Sequence, residues 1–263
     1  MSTLTSYTSG TRPAASSNSG LCIFRSDTNA IEVSDGTSWQ TYNSDGASST
    51  FSSNSYSVDF DGSNDYIDIS GAAGLLNSAT AFSISLWYYA DAYGGAVFGG
   101  GTSGTNGVWI LPYASGSNFF FAVRNGGSTS ITTTSPALNQ WVHVAATFNA
   151  GNGALYLTPS GGSTTTTTST SLPSSLSSSA ATDLSIGRLA AGFNFYFNGK
   201  VDEVAIWNRE ISSSEVSDII NNKSYSAVSA MWRLENTAAA TIGGSGYDGT
   251  LTNGPTYSTS TPY

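Results

Sequence analysis

From residue 56 onward the chain alternates large apolar and small polar side chains with a period of two. Tyr56, Val58 and Phe60 alternate with polar residues, and Ile67 and Ile69 do the same around Asp68. Phe82, Ile84, Leu86 and Tyr88 fall on one side of a strand whose other side carries Ser83, Ser85, Trp87 and Tyr89. The same pattern predicts strands at 108–111, 118–123, 141–148, 154–157, 184–186, 193–197 and 201–207. Alternation of this kind, broken by Gly, Ser and Asn, signals half-buried antiparallel strands. So many strands with so little helix predict an all-β fold, an antiparallel two-sheet jelly-roll sandwich. One short helix is expected at Ser213–Asn221, where Ser212 and Glu215 form a capping box and Val216, Ile219 and Ile220 make one apolar stripe.

The flanks read differently. Residues 1–55 are polar, with short strands at Leu21–Phe24 and Ala30–Val33 joined by the turn Ser26-Asp27-Thr28-Asn29. A second turn, Ser34-Asp35-Gly36, leads into Trp39 and Tyr42. A lone hairpin buries too little to stand by itself, so this one needs a neighbour. The Ser/Thr-rich run 160–181 reads as weak strand and loop. Residues 223–263 carry Trp232, Tyr247 and Tyr257 among turn residues and end in an extended segment. The chain thus divides into an N-terminal attachment or oligomerisation segment (1–55), a sandwich (56–222) and a C-terminal extended segment (223–263).

Composition narrows the chemistry. Of 263 residues, 8 are Lys or Arg and 17 Asp or Glu, a formal net charge of −9. With no basic footprint, neither nucleic acid nor an anionic membrane is expected as a partner. A single cysteine, Cys22, excludes an internal disulfide framework, and a single histidine, His143, excludes a multi-histidine metal centre. The N-terminus lacks the basic start and apolar run of a secretory signal, and no stretch approaches the roughly 18 apolar residues of a membrane span.

The middle segment resembles the laminin-G-like, concanavalin A-type jelly-roll family. The residues that carry the likeness are Phe60-Asp61-Gly62-Ser63-Asn64-Asp65-Tyr66-Ile67, Phe82-Ser83-Ile84-Ser85-Leu86-Trp87, Trp141-Val142-His143-Val144-Ala145-Ala146-Thr147, and Phe197 through Arg209 with its Asp202-Glu203-Val204 core. Four motifs in order over about 150 residues specify a fold rather than a function, because this fold hosts many. The N-terminal motif, from Thr11-Arg12-Pro13 to Asp35-Gly36-Thr37-Ser38-Trp39, is similar to one in tailed-phage structural proteins. That resemblance implies a non-enzymatic virion protein, a head decoration, fibre or knob subunit, made in the host cytoplasm. Its partners would be other capsid or fibre proteins and two further copies of itself in a trimer. Arg12, Trp39 and Tyr42 would make the assembly contacts. A carbohydrate-binding adhesin of a phage tail or bacterial surface is the alternative. Met231-Trp232-Arg233-Leu234 and 247–257 resemble a segment that flanks such domains, packing on this sandwich or on a neighbouring subunit.

Three further sets of residues bear on function. Asp61, Asp65 and, within the family motif, Asp202 are candidate calcium ligands, since a hard cation takes carboxylate and carbonyl oxygens around a Gly-containing turn. The same Asp61-Gly62-Ser63-Asn64 also reads as a turn whose side chains cap backbone N–H groups. Trp109 and Tyr113, on one face of one strand, are candidate contacts for a host-surface glycan. Hydrolysis would need two carboxylates about 5 Å or about 6.5–9.5 Å apart. The Glu-x-Asp-x-x-Glu strand of related β-glucanases is absent, as is a Gly-x-Ser-x-Gly elbow, and His143 reads as structural.

Overall fold

Strand formation follows the alternation closely in the computed structural model, which describes residues 5–8, 10–25, 30–34, 36–43, 49–50, 54–114, 117–189, 193–239 and 245–263. The backbone clusters into two units: residues 1–51 with 217–227, and residues 52–216 with 228–263.

In the first unit, β1 (Ser6–Tyr7), β2 (Cys22–Arg25), β3 (Ala30–Ser34) and β4 (Trp39–Asn43) form a sheet in that order. β1 runs parallel to β2, and β2, β3 and β4 are antiparallel. The expected hairpin is therefore half of a four-stranded sheet, because the segment with Trp39 and Tyr42 continues it as a strand. The turn at 26–29 and Asp35 lie outside the described residues. Arg12 donates to Glu32 at 2.8 Å and lies over the Trp39 ring, whose indole N–H donates to the Pro13 carbonyl at 3.0 Å. Two of the expected assembly residues thus serve this unit internally; the side chain of Tyr42 lies outside the described residues. β5 (Ser49–Thr50) completes the elements before residue 52.

The second unit is the sandwich. Its strands are β6 (Ser57–Asp61), β7 (Tyr66–Asp68), β8 (Ala81–Ala90), β9 (Phe98–Ser103), β10 (Asn106–Ala114), β11 (Ser117–Asn125), β12 (Ser130–Thr133), β13 (Trp141–Asn149), β14 (Asn152–Pro159), β15 (Thr165–Ser169), β16 (Ser185–Ile186) and β17 (Asn198–Trp207). Helix α1 (Ala73–Leu76) is one turn, and α2 (Ser213–Asn222) is the expected helix. Ser212 Oγ accepts from Glu215 N–H while the Glu215 carboxylate accepts from Ser212 N–H, so the capping box closes reciprocally. Four short strands end the chain: β18 (Ser224–Tyr225), β19 (Ala230–Trp232), β20 (Thr250–Thr252) and β21 (Thr256–Ser258). β18 belongs to the first unit, where it pairs with β5.

One sheet runs β12-β11-β10-β9-β16-β7-β20; the other runs β15-β14-β13-β8-β17-β6-β21, with β19 also on β17. Register fixes which side chains share the core. Phe82, Ile84, Leu86 and Tyr88 of β8 lie opposite Phe148, Ala146, Val144 and Val142 of β13, all in the core between the sheets. Their alternates Ser83, Ser85, Trp87 and Tyr89 face outward opposite Thr147, Ala145, His143 and Trp141. The C-terminal segment adds β19, β20 and β21 to both sheets of this same chain. The stretch 193–197, read as a strand, is not one: Tyr196 makes only isolated bridges to Ala96 and Arg188. Phe197 enters the core while Phe193 and Phe195 cover the outside of a sheet, which alternation alone does not distinguish from a core-facing strand. Among the described residues no helix is long and apolar enough to cross a membrane.

Candidate functional site

β10 and β11 build a trough on the outer face of the first sheet. Val108 and Ile110 of β10, and Phe119, Phe121 and Val123 of β11, point into the core. Period two then sends Trp109, Leu111 and Tyr113, with Phe120, Ala122 and Arg124, outward. Register sets Trp109 opposite Ala122 and Leu111 opposite Phe120. The far wall is Leu189, Phe193 and Phe195, and the depression they enclose measures about 260 Å³. That wall exists because of a glycine. On β9, Gly99 stands opposite Trp109, and a Cβ there would lie 2.1 Å from the Leu189 carbonyl oxygen.

Trp109 and Tyr113 do share this trough, as their spacing predicts, but they are used differently. Trp109 is only 5% exposed, with the Arg124 guanidinium 4.4 Å from its ring centroid. Tyr113 is 46% exposed and edges onto Phe120 and Phe195 at 5.9 and 6.4 Å. The open aromatic surface is thus Tyr113 and its neighbours, while Trp109 is a floor capped by a cation. Arg124 donates from Nη1 to the Gly104 carbonyl, and its Nε is buried without a partner. Burial lowers its pKa from the ordinary arginine value. Sequence reading did not single out Arg124, Phe193 or Phe195. The available signal was an arginine at the end of an aromatic strand in a chain poor in cations.

A second, polar depression of about 310 Å³ is lined by Asp59, Phe60, Asp61, Asp65, Asn253, Gly254 and Thr256. Gly62, at φ +77, makes the turn that folds Asp65 back towards Asp61. Asp65 Oδ2 accepts from Asp61 N–H at 3.3 Å, and Asp61 Oδ1 accepts from Ser63 N–H at 2.8 Å. Burial, and then the Asp61 and Asp59 charges, outweigh the Asp61 N–H bond and raise the Asp65 pKa above the usual carboxylate value. Lys200 lies 3.4 Å from Asp59 and 3.6 Å from Asp91.

Asp202 is not brought to this turn. Asp61 sits opposite Asn198 on β17, and Asp202 lies four residues further along, opposite Trp87. It is fully buried and accepts from Asn54 Nδ2 and Glu203 N–H, each at 2.8 Å. Burial first, and then Glu203, push its pKa well above the usual range. Glu203, also fully buried and at φ +50 in a β-bulge, pairs with Arg233 at 3.0 Å. Among the described residues no three His, Cys, Asp or Glu side chains converge as a metal site. His143 is fully buried beside Trp87, with Nε2 2.8 Å from Ser85 Oγ.

Comparison with known proteins agrees with this architecture. Residues 61–217 match the family model described as the concanavalin A-like lectin/glucanases superfamily. A protein of Bacteroides ovatus described as a candidate carbohydrate binder superposes with a TM-score of 0.56 at 18% identity, covering 87% of this chain and 72% of that one. A native heptameric SAP-like pentraxin from Limulus polyphemus gives 0.51 at 14% identity, over 77% of this chain and 94% of that one. At these identities the likeness shows the fold alone. No curated protein matches the sequence.

Proposed function

The chain belongs to the concanavalin A-like lectin/glucanases superfamily, and on that premise we propose that it is a non-catalytic carbohydrate-binding protein whose ligand lies in the β10–β11 trough. The observation that carries this is the trough itself: an exposed tyrosine on a floor of aromatic rings, with one guanidinium at its end. Ligand sites combine an apolar surface with a few polar groups that fix orientation, and a sugar ring presents an apolar face of matching size. The description of the Bacteroides ovatus protein points the same way. Tyr113→Ala is expected to weaken binding to any glycan found on an array by at least about tenfold, equivalent to about 1.4 kcal/mol. Unchanged affinity in titration calorimetry would remove the trough from consideration.

The N-terminal motif around Arg12 and Trp39 favours a second role, display of this module on a bacteriophage virion as a decoration, fibre or knob subunit. In that setting a trimer multiplies a weak glycan contact by copy number. Mass spectrometry of purified particles tests it, and light scattering of the isolated protein tests the trimer.

Calcium at the Asp61–Asp65 turn is a third element of the proposal. Only these two of the three expected carboxylates adjoin, so carbonyl oxygens of the turn would supply the remaining ligands. Calcium is expected to raise the thermal midpoint, an effect abolished by chelator and by Asp65→Asn. Identical melting curves with calcium and with chelator would discard the ion.

A further inference from the structure

The unmatched charge in the trough identifies its ligand more narrowly. Arg12, Arg188, Lys200, Arg209 and Arg233 each form an ion pair with a carboxylate. Arg124 has no such partner among the described residues, in a chain with 17 acidic and 8 basic side chains. A guanidinium carries five N–H donors. Here one Nη1 donor reaches Gly104, the Nε donor is buried unpartnered, and the other three meet no acceptor among the described residues. Holding a cation half-buried among Trp109, Phe120 and Leu111 costs free energy that the Trp109 ring and the Gly104 carbonyl offset only in part, with no carboxylate beside it among the described residues.

We infer that the trough binds an acidic saccharide, with a sugar carboxylate on the Arg124 fork and the sugar ring against Tyr113. The planar guanidinium matches a planar carboxylate through two parallel N–H···O bonds, which a neutral hydroxyl cannot reproduce. The wider field is negative, so selectivity for an anion rests on this one local contact. The inference depends on the trough being a glycan site.

The test uses the full chain and two families of probes, oligosaccharides ending in glucuronic acid and in N-acetylneuraminic acid. Each is measured beside its carboxyl-reduced form, in which the acid has become a primary alcohol. At least one acid form is expected to bind tenfold or more tightly than its reduced counterpart, and which one does so separates uronic from sialic ligands. Arg124→Gln is expected to erase the difference, leaving both forms equally weak. Arg124→Lys, which keeps the charge but not the fork, should restore part of it. Melting curves of both variants check that the trough stays folded. Equal binding of acid and reduced forms, still lost in Tyr113→Ala, overturns the acidic ligand and keeps the glycan site. Absence of binding by every probe overturns both.

Discussion

Acidification from pH 6.5 to 4 is expected to take on the order of 3 kcal/mol from the folded protein through His143 alone. Burial depresses its pKa from 6.5 to about 3. Between those values the unfolded chain takes up a proton on this ring and the folded protein does not. Each step down in pH therefore favours the unfolded state, and the loss is complete only below pH 3. Well above pH 7 the ring is uncharged in both states and contributes nothing to the pH dependence. Asp202 works in the opposite sense: its raised pKa means the folded protein gains a proton first as pH falls. A single pH profile mixes the two, so a comparison is needed. His143→Gln keeps a polar group near Ser85 and removes the titration. Urea unfolding at pH 7 and pH 4 should show the native protein losing about 3 kcal/mol more than the variant. Equal losses would mean that His143 is charged, or hydrated, in the folded state.

Arg233→Met is expected to lower the unfolding free energy by about 3–5 kcal/mol at neutral pH. Arg233 donates through Nε to Glu203 at 3.0 Å and through an Nη to Glu235 at 3.3 Å. Glu203 is fully buried and immediately follows the buried Asp202. Without the guanidinium, the buried Glu203 carboxylate loses this ion pair beside the buried Asp202, which is the costly way to break an ion pair. Adding Glu203→Gln to Arg233→Met should recover a substantial part of the loss, since the Glu203 charge is then gone. If the double variant is no more stable than Arg233→Met, the cost lies in lost packing of the arginine stem instead.

His143 lies in a strand that was readable in advance and reads as structural there, whereas Arg233 lies in a segment read as turns, and its pairing with Glu203 was not legible. Alternation of Phe82, Ile84, Leu86 and Tyr88 with serines gives the inward face of β8 directly, because burial on one side of a strand imposes period two. The α2 start was equally plain, since Ser212 and Glu215 satisfy each other locally. What alternation leaves open is lateral: which strand lies beside which. Asp61 and Asp202 both belong to recognisable motifs, and only the β6–β17 register places them four residues apart along the sheet. Phe193, Phe195 and Phe197 look like one more core strand, but only Phe197 belongs to the core, and the others wall the trough. Trp109 was legible as an outward aromatic; that Arg124 would cover it was not, because the pairing of Gly107 with Arg124 arises from the β10–β11 register.

The closing strands set a schedule for synthesis. Ser57 donates to the Ser260 carbonyl across 203 positions, and Asn253 donates to the Asn64 carbonyl across 189. At about 5–20 residues per second, β6 leaves the ribosome roughly 10–40 s before its partner β21. Pairing this distant in sequence also makes folding slow once the chain is free. Throughout that interval β6 and β7 are open edges, ready to pair with any other nascent chain. Asp59, Asp61, Asp65 and Asp68 sit along them, and charged side chains are what keep a bare edge from accepting the wrong strand. Charge is thus concentrated along the strands that wait longest for their last partners.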